Sequence, residues 1–207
     1  KSGISEWNIN SVVQKALLRA YMPVMIVRPY QETPKELSGL KYHRIMVPLD
    51  GSKRAECVLP LAKSIGELND ARLFLAHIVE EPRLPRQTPL SADDQALVSR
   101  LQELNKMEAR KYLDEITGQF STHNLQVIIE SSKKPSTALH DLVDRLKIDL
   151  VMMSAHGYSG ENRWPYGNIA LNFIAYGTTP LLINQDLSEE EVARTMAEKF
   201  SEESKGH

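Results

Sequence analysis

One cysteine, Cys57, stands in 207 residues. A disulfide within the chain is therefore impossible, thiolate pairs of the C-x-x-C kind are absent, and a reducing, cytoplasmic setting is expected. Histidine offers no metal pattern either. His43, His77, His123, His140, His156 and His207 are scattered without an H-x-x-x-H pair, and His77 and His140 read as packed or surface residues. Charge of one sign is also lacking, since the formal net charge is -2. No global field draws the chain to nucleic acid or to an anionic membrane. No apolar run approaches the roughly 18–20 residues of a membrane span, and no signal-peptide pattern opens the chain. The chain starts at Lys1 rather than methionine, which reads as a piece of a longer protein.

What is present is an alternation of strand and helix patterns from Tyr42 onward. HRIMVPL (43–49) reads as a buried strand ended by an Asp50-Gly51 turn. Ser52 is placed to cap a helix with Val58, Leu61, Ala62 and Ile65 on its apolar side. RLFLAHIV (72–79) is a second strand, and the prolines at 82, 85 and 89 make 80–90 a loop. A long helix is expected from the N-cap Ser91 to about Ile116, with Leu97, Leu101, Leu104 and Met107 on one face. Then follow a strand at 125–131 and a helix opened by Pro135, with Leu139, Leu142, Val143 and Leu146 as its buried stripe. A strand at 149–155, a hydrophobic helix at 167–176 and a strand at 180–184 complete the pattern. Strands so continuously apolar are those covered on both faces, which predicts an α/β, doubly wound parallel sheet.

The front of the chain repeats the back. Residues 2–29 align with 159–186 at a constant offset of 157, so that Ser2, Gly3, Trp7, Pro23 and Ile26 meet Ser159, Gly160, Trp164, Pro180 and Ile183. Helix and strand patterns match over the same span, which argues against chance. Residues 1–29 then read as the last helix and strand of an incomplete upstream copy, 30–41 as a linker, 42–186 as a complete domain and 187–207 as a tail. In the tail, Ser188–Glu191 forms a capping box ahead of Val192, Met196 and Phe200, an amphipathic helix expected to pack on the domain.

The stretch Ser154–Asn168, SAHGYSGENRWPYGN, carries the chemistry. As a hydrolase elbow it fails, because Glu161 stands where G-x-S-x-G around Ser159 needs its last glycine, and the helix begins too late. As a phosphate loop it has more support. Ligands of open parallel sheets bind beyond the strands' carboxyl ends where strand order reverses. Pro48–Ser52 and Met153–Gly157 are two such ends, and Gly167-Asn168 opens a helix whose free N–H groups favour an anion. The residues alone leave two readings open: Asn168 contacts a phosphate, or it merely caps the helix while the glycines turn.

HRIMVPLDGSKRAECVLPLA, LFLAHIVEEP, KKPSTALHDLVDRLKIDLVMMSAHGYSG and RWPYGNIA together resemble the universal stress protein family over 42–186. The resemblance implies a Rossmann-like, adenine nucleotide alpha hydrolase-like fold with five parallel strands in the order 3-2-1-4-5. One branch of that family binds ATP through G-x2-G-x9-G-[ST]; here Ser154, Gly157, Gly167 and Asn168 give S-x2-G-x9-G-N, with the spacing kept and two positions changed. Serine adds a Cβ and a hydroxyl that can donate to phosphate, and asparagine keeps a donor.

The nucleotide-binding set implied is Pro48, Leu49, Asp50, Ile78, Met153, Ser154, Gly157, Gly167, Asn168 and Ile169. Adenine would lie near Pro48, Leu49, Asp50 and Ile78, and phosphates near Gly157, Gly167 and Asn168. Asp50 would accept from the ribose or adenine, or instead tie down the Gly51 turn. The cofactor would be ATP or another adenine nucleotide, with Mg2+ only alongside it. No catalytic residue is assignable, so the expectation is a regulator of the stress response without rapid turnover. The alternative is an interaction module that binds no nucleotide. Pairing of the final strands, 23–28 with 180–185, is also implied, making the two copies an internal pseudo-dimer and leaving room for a homodimer. Each of these strands begins at a proline, as edge strands do.

Overall fold

The computed structural model describes residues 22–27, 41–82, 91–120, 124–158 and 166–186. Expectations for residues 1–21, for nearly all of the linker, for Ser159 and for the 188–200 helix lie outside these. The elements are β1 (Val24–Ile26), β2 (Arg44–Pro48), α1 (Lys53–Glu56), α2 (Leu59–Asn69), β3 (Arg72–Glu80), α3 (Ala92–Thr117), β4 (Leu125–Ser132), α4 (Pro135–Arg145), β5 (Leu150–Ser154), α5 (Asn168–Tyr176) and β6 (Leu181–Asn184).

The sheet order is β1-β6-β5-β2-β3-β4. The neighbours among β2 to β6 run parallel, in the expected 3-2-1-4-5 order. Beside these five, β1 adds a sixth strand within the expected pairing of 23–28 with 180–185; it runs antiparallel to β6, with Val24 opposite Ile183, Met25 opposite Leu182 and Ile26 opposite Leu181. Strand order reverses between β2 and β5, which pair through Ile45–Leu150 and Met46–Val151. A crevice therefore opens beyond their carboxyl ends.

Both sheet faces are covered, and the alternation of side chains divides the core in two. Ile45, Val47, Leu73, Leu75 and Met152 pack under α1, α2 and α3 with Val58, Ala62, Leu113 and Ile116. Met46, Phe74, Ala76, Val151 and Met153 pack under α4 and α5 with Leu139, Leu142, Val143, Phe173 and Ile174. Ser52 caps as expected, its hydroxyl accepting from the Ala55 N–H, and the turn before it needs Gly51, whose φ is +86°. The helix expected there is divided into α1 and α2 around Cys57 and Val58.

The long helix α3 starts at its Ser91 cap, but its expected apolar face is not buried. Leu97 is 68% exposed, Leu101 44%, Leu104 46% and Met107 58%; its buried residues are Ala109, Leu113 and Ile116. At about 1.5 Å per residue the helix is roughly 39 Å long. The strand before it spans about 30 Å, so the first turns of α3 have little sheet to pack on.

Candidate functional site

Three short segments meet at the crevice. β2 delivers Pro48, Leu49 and Asp50; β5 delivers Met153 to Gly157; and α5 brings Gly167, Asn168 and Ile169 beside them. With Ile78 from β3, all ten residues of the expected set line one cavity of about 140 Å³. Its remaining wall includes Ala55, Ala76, Pro135, Leu139 and Ala170. The lining is mostly apolar, with a few polar groups gathered at the mouth, which is the usual make-up of a small-molecule site.

Asp50 organises the mouth. Its Oδ1 accepts from the Ser52 backbone N–H at 3.0 Å and from the Ser52 hydroxyl at 2.6 Å. Its Oδ2 accepts from the Tyr158 N–H across the crevice. One carboxylate thus ties the turn after β2 to the loop after β5. Gly157 is required by that tie, because a Cβ there would lie 2.0 Å from Asp50 Oδ2.

One role considered from sequence is corrected. Asn168 does not cap α5: it is the first helical residue, and Gly167 holds the cap position without a side-chain bond. The Ser154 side chain has a partner within the cavity wall. It is buried, and its hydroxyl donates to the Ala55 carbonyl oxygen at 3.3 Å, fastening β5 to α1.

A second tie was not found in the sequence. Asp186, just past β6, has a fully buried carboxylate. Its Oδ1 accepts from the His156 N–H at 3.0 Å and lies 2.8 Å from His156 Nδ1, while Oδ2 lies 3.1 Å from an Arg54 guanidinium nitrogen. A buried carboxylate is tolerable with such partners. The pair holds the loop after β5 against the end of β6 and puts His156 in the cavity wall. The adjacency of β5 and β6, which the sequence does not print, is what joins residues thirty apart.

Other histidines are placed for packing. His140 stacks on Phe173 at 4.2 Å between ring centres, with Nε2 2.9 Å from Asn172 Oδ1. His77 meets the Tyr112 ring edge-on; burial holds it below its usual pKa, with Asp50 pulling the other way. Tyr166, just ahead of α5, is buried, and that burial pushes its hydroxyl up to about 12. Among the described residues no group of three or more histidine, cysteine or acidic side chains is arranged to hold a metal, and no helix is long and apolar enough to cross a membrane.

Comparison with known proteins gives a consistent picture. A family model described as the universal stress protein family matches residues 41–184. Universal stress protein A homolog 1 of Coxiella burnetii is 26% identical over 125 residues, covering 58% of this chain and 81% of that protein. Among solved structures, the universal stress protein UspA from Lactobacillus plantarum superposes with a TM-score of 0.60 at 19% identity, covering 70% of this chain and 99% of its own. A universal stress protein from Archaeoglobus fulgidus superposes with a TM-score of 0.59 at 18% identity, covering 90% of this chain and 59% of the archaeal one.

Proposed function

The chain belongs to the universal stress protein family, and on that premise we propose that its cavity binds an adenine nucleotide and that the protein acts as a nucleotide-responsive regulator in the stress response. The observation that carries this is the convergence of the β2 end, the β5 end and the α5 N-terminus on one cavity at the strand-order switch. Leu49, Ile78, Leu139, Met153 and Ile169 supply apolar walls for a purine. Asp50, which also ties the two loops, would accept from a ribose hydroxyl. The α5 N-terminus, with Asn168, receives phosphate. Mg2+ would accompany the phosphates; among the described residues no group of three or more histidine, cysteine or acidic side chains is arranged to hold it alone.

Rapid turnover is not part of the proposal. Asp50 and His156 are the acid–base groups in the described lining, and both hold the site's own loops together. The free Cys57 suits a reducing compartment and so a cytoplasmic location. The test is calorimetry or thermal shift with adenine nucleotides. Saturable binding that Gly157→Trp abolishes is the expected result; no response at millimolar ligand would favour the interaction-module reading.

The proposed division of the chain is an upstream domain's last helix and strand at 1–29, a linker at 30–41, a complete domain at 42–186 and a tail at 187–207. Its support is the symmetry of the β1–β6 pair. Met25 faces Leu182, its own equivalent in the repeat, while Val24 faces Ile183 and Ile26 faces Leu181, which are each other's equivalents. Such reciprocal contacts are those of an isologous twofold interface. The pairing also protects an apolar edge, and it favours a pseudo-dimer within the chain over pairing of separate chains through this edge. Removing residues 1–29 is expected to expose β6 and drive self-association, which sedimentation would detect.

A further inference from the structure

Helices in folded proteins owe most of their stability to the packing of an apolar face, and lengths without it are marginal. The turns of α3 ahead of Ala109 bury no residue, and Leu97, Leu101 and Leu104 stand exposed there at i, i+4 and i+7. We propose that this stripe is an interface, packing antiparallel against the same stripe of a second copy of this chain. At about 100° per residue, the line of the three leucines continues to Glu108 and Lys111 toward the C-terminus and to Asp94 toward the N-terminus. The side facing the core, marked by Ala109, Leu113 and Ile116, lies about 110° round the helix from that line. A partner therefore reaches the stripe without disturbing the core.

Charge complementarity selects both the occupant and its direction. The stripe is acidic at its N-terminal end and basic toward its C-terminal end. In an antiparallel pair centred between Leu101 and Leu104, Leu101 meets Leu104 of the second copy and Asp94 meets its Lys111. Arg100, on the flank of the stripe, lies within about one turn of the second copy's Glu108. Each contact occurs twice, as an isologous twofold requires. A parallel pair would instead set Asp94 against Asp94 and Lys111 against Lys111, and flanking charges decide orientation in helix pairs.

The chain's own tail suits the stripe less. Residues 187–207 hold six glutamates against Arg194, Lys199 and Lys205, and α3 holds six acidic side chains against four basic ones, so like net charges would meet. The sheet edge at β6 is closed to a second copy, because β1 of the same chain pairs there. Area sets the strength. Three leucines with Met107 beside them expose on the order of a few hundred Å², below the about 800 Å² that each partner of a standard interface buries. The pair is therefore weak, with a Kd on the order of 10–100 µM, and chains at about 1 µM are single with the stripe bare.

The test is sedimentation equilibrium of the full chain from about 1 to about 500 µM at low salt, with hydrogen exchange over 92–107 read at both ends of that range. The wild type is expected to pass from monomer to dimer, with slower exchange over 92–107 in the concentrated sample. Leu101→Glu, at an exposed position that the fold tolerates, is expected to weaken association at least about tenfold. Arg100→Glu and Glu108→Arg are each expected to weaken it at least about threefold. The double variant restores opposite charges across the twofold and is expected to return within about twofold of wild type. A chain that stays monomeric up to about 500 µM overturns the proposal. So does association that Leu101→Glu leaves unchanged, or a double variant no stronger than its singles. Exchange over 92–107 that is slow at every concentration, and quickens when residues 187–207 are removed, would give the stripe to the tail and overturn the second copy.

Discussion

α3 and α4 carry equally regular apolar spacing, and the fold treats them differently. In α4, Leu139, Leu142 and Val143 are buried against β3 and β4, and Leu146 is half-buried. In α3, Leu97, Leu101 and Leu104 repeat at the same helical interval and are exposed, while the buried residues begin only at Ala109. α4 has 11 residues and fits the depth of the sheet; α3 has 26 and does not. Periodicity identifies a helix and a face, but not whether anything covers that face. For α3 the bare portion is the N-terminal half, and its core contribution comes from the last three turns.

Substitutions along the two helices would break or sharpen this contrast. The largest effect is expected from Leu142→Ala in α4, where a fully buried side chain leaves a cavity costing about 2–5 kcal/mol, read by denaturant unfolding. Leu113→Ala, equally buried near the end of α3, should fall in the same range; a loss under about 1 kcal/mol would mean that α3 is loosely attached throughout. Ser91→Ala removes the hydroxyl that accepts from the Asp94 N–H. It should cost at most about 1 kcal/mol, and hydrogen exchange should report fraying confined to the first turns of α3. Leu101→Ala should be smallest, within about 0.5 kcal/mol of wild type. A loss comparable to that of Leu113→Ala would show that the exposed stripe is covered in solution.

The site repeats the lesson at smaller scale. All ten residues of the expected set line the cavity because each sits at a strand end or helix start, positions that the sequence pattern marks. What each side chain does there was not legible. The resemblance implies phosphate contacts for Ser154 and Asn168; the hydroxyl of the first donates to the Ala55 carbonyl oxygen and the second follows a glycine cap. The direction of Ser154 is set by the pleat of β5 and the nearness of α1, neither of which is local in sequence. His156 and Asp186 belong to different segments, thirty residues apart, and become partners through the pairing of β5 with β6.

The sequence by itself determined the alternation of elements, the parallel α/β class, the turn at Gly51, the caps at Ser52 and Ser91, and the repeat of 2–29 in 159–186. These rest on local stereochemistry and on periodicity, which any short window of chain contains. The tertiary structure decided which apolar faces are covered, which donors of the β5 loop are already committed, and where the Asp50 charge lies. Those depend on distances between residues far apart in the chain, such as Asp50 and Tyr158, separated by 108 positions. Burial and pairing are properties of the assembled sheet, and they come into being only when its strands meet.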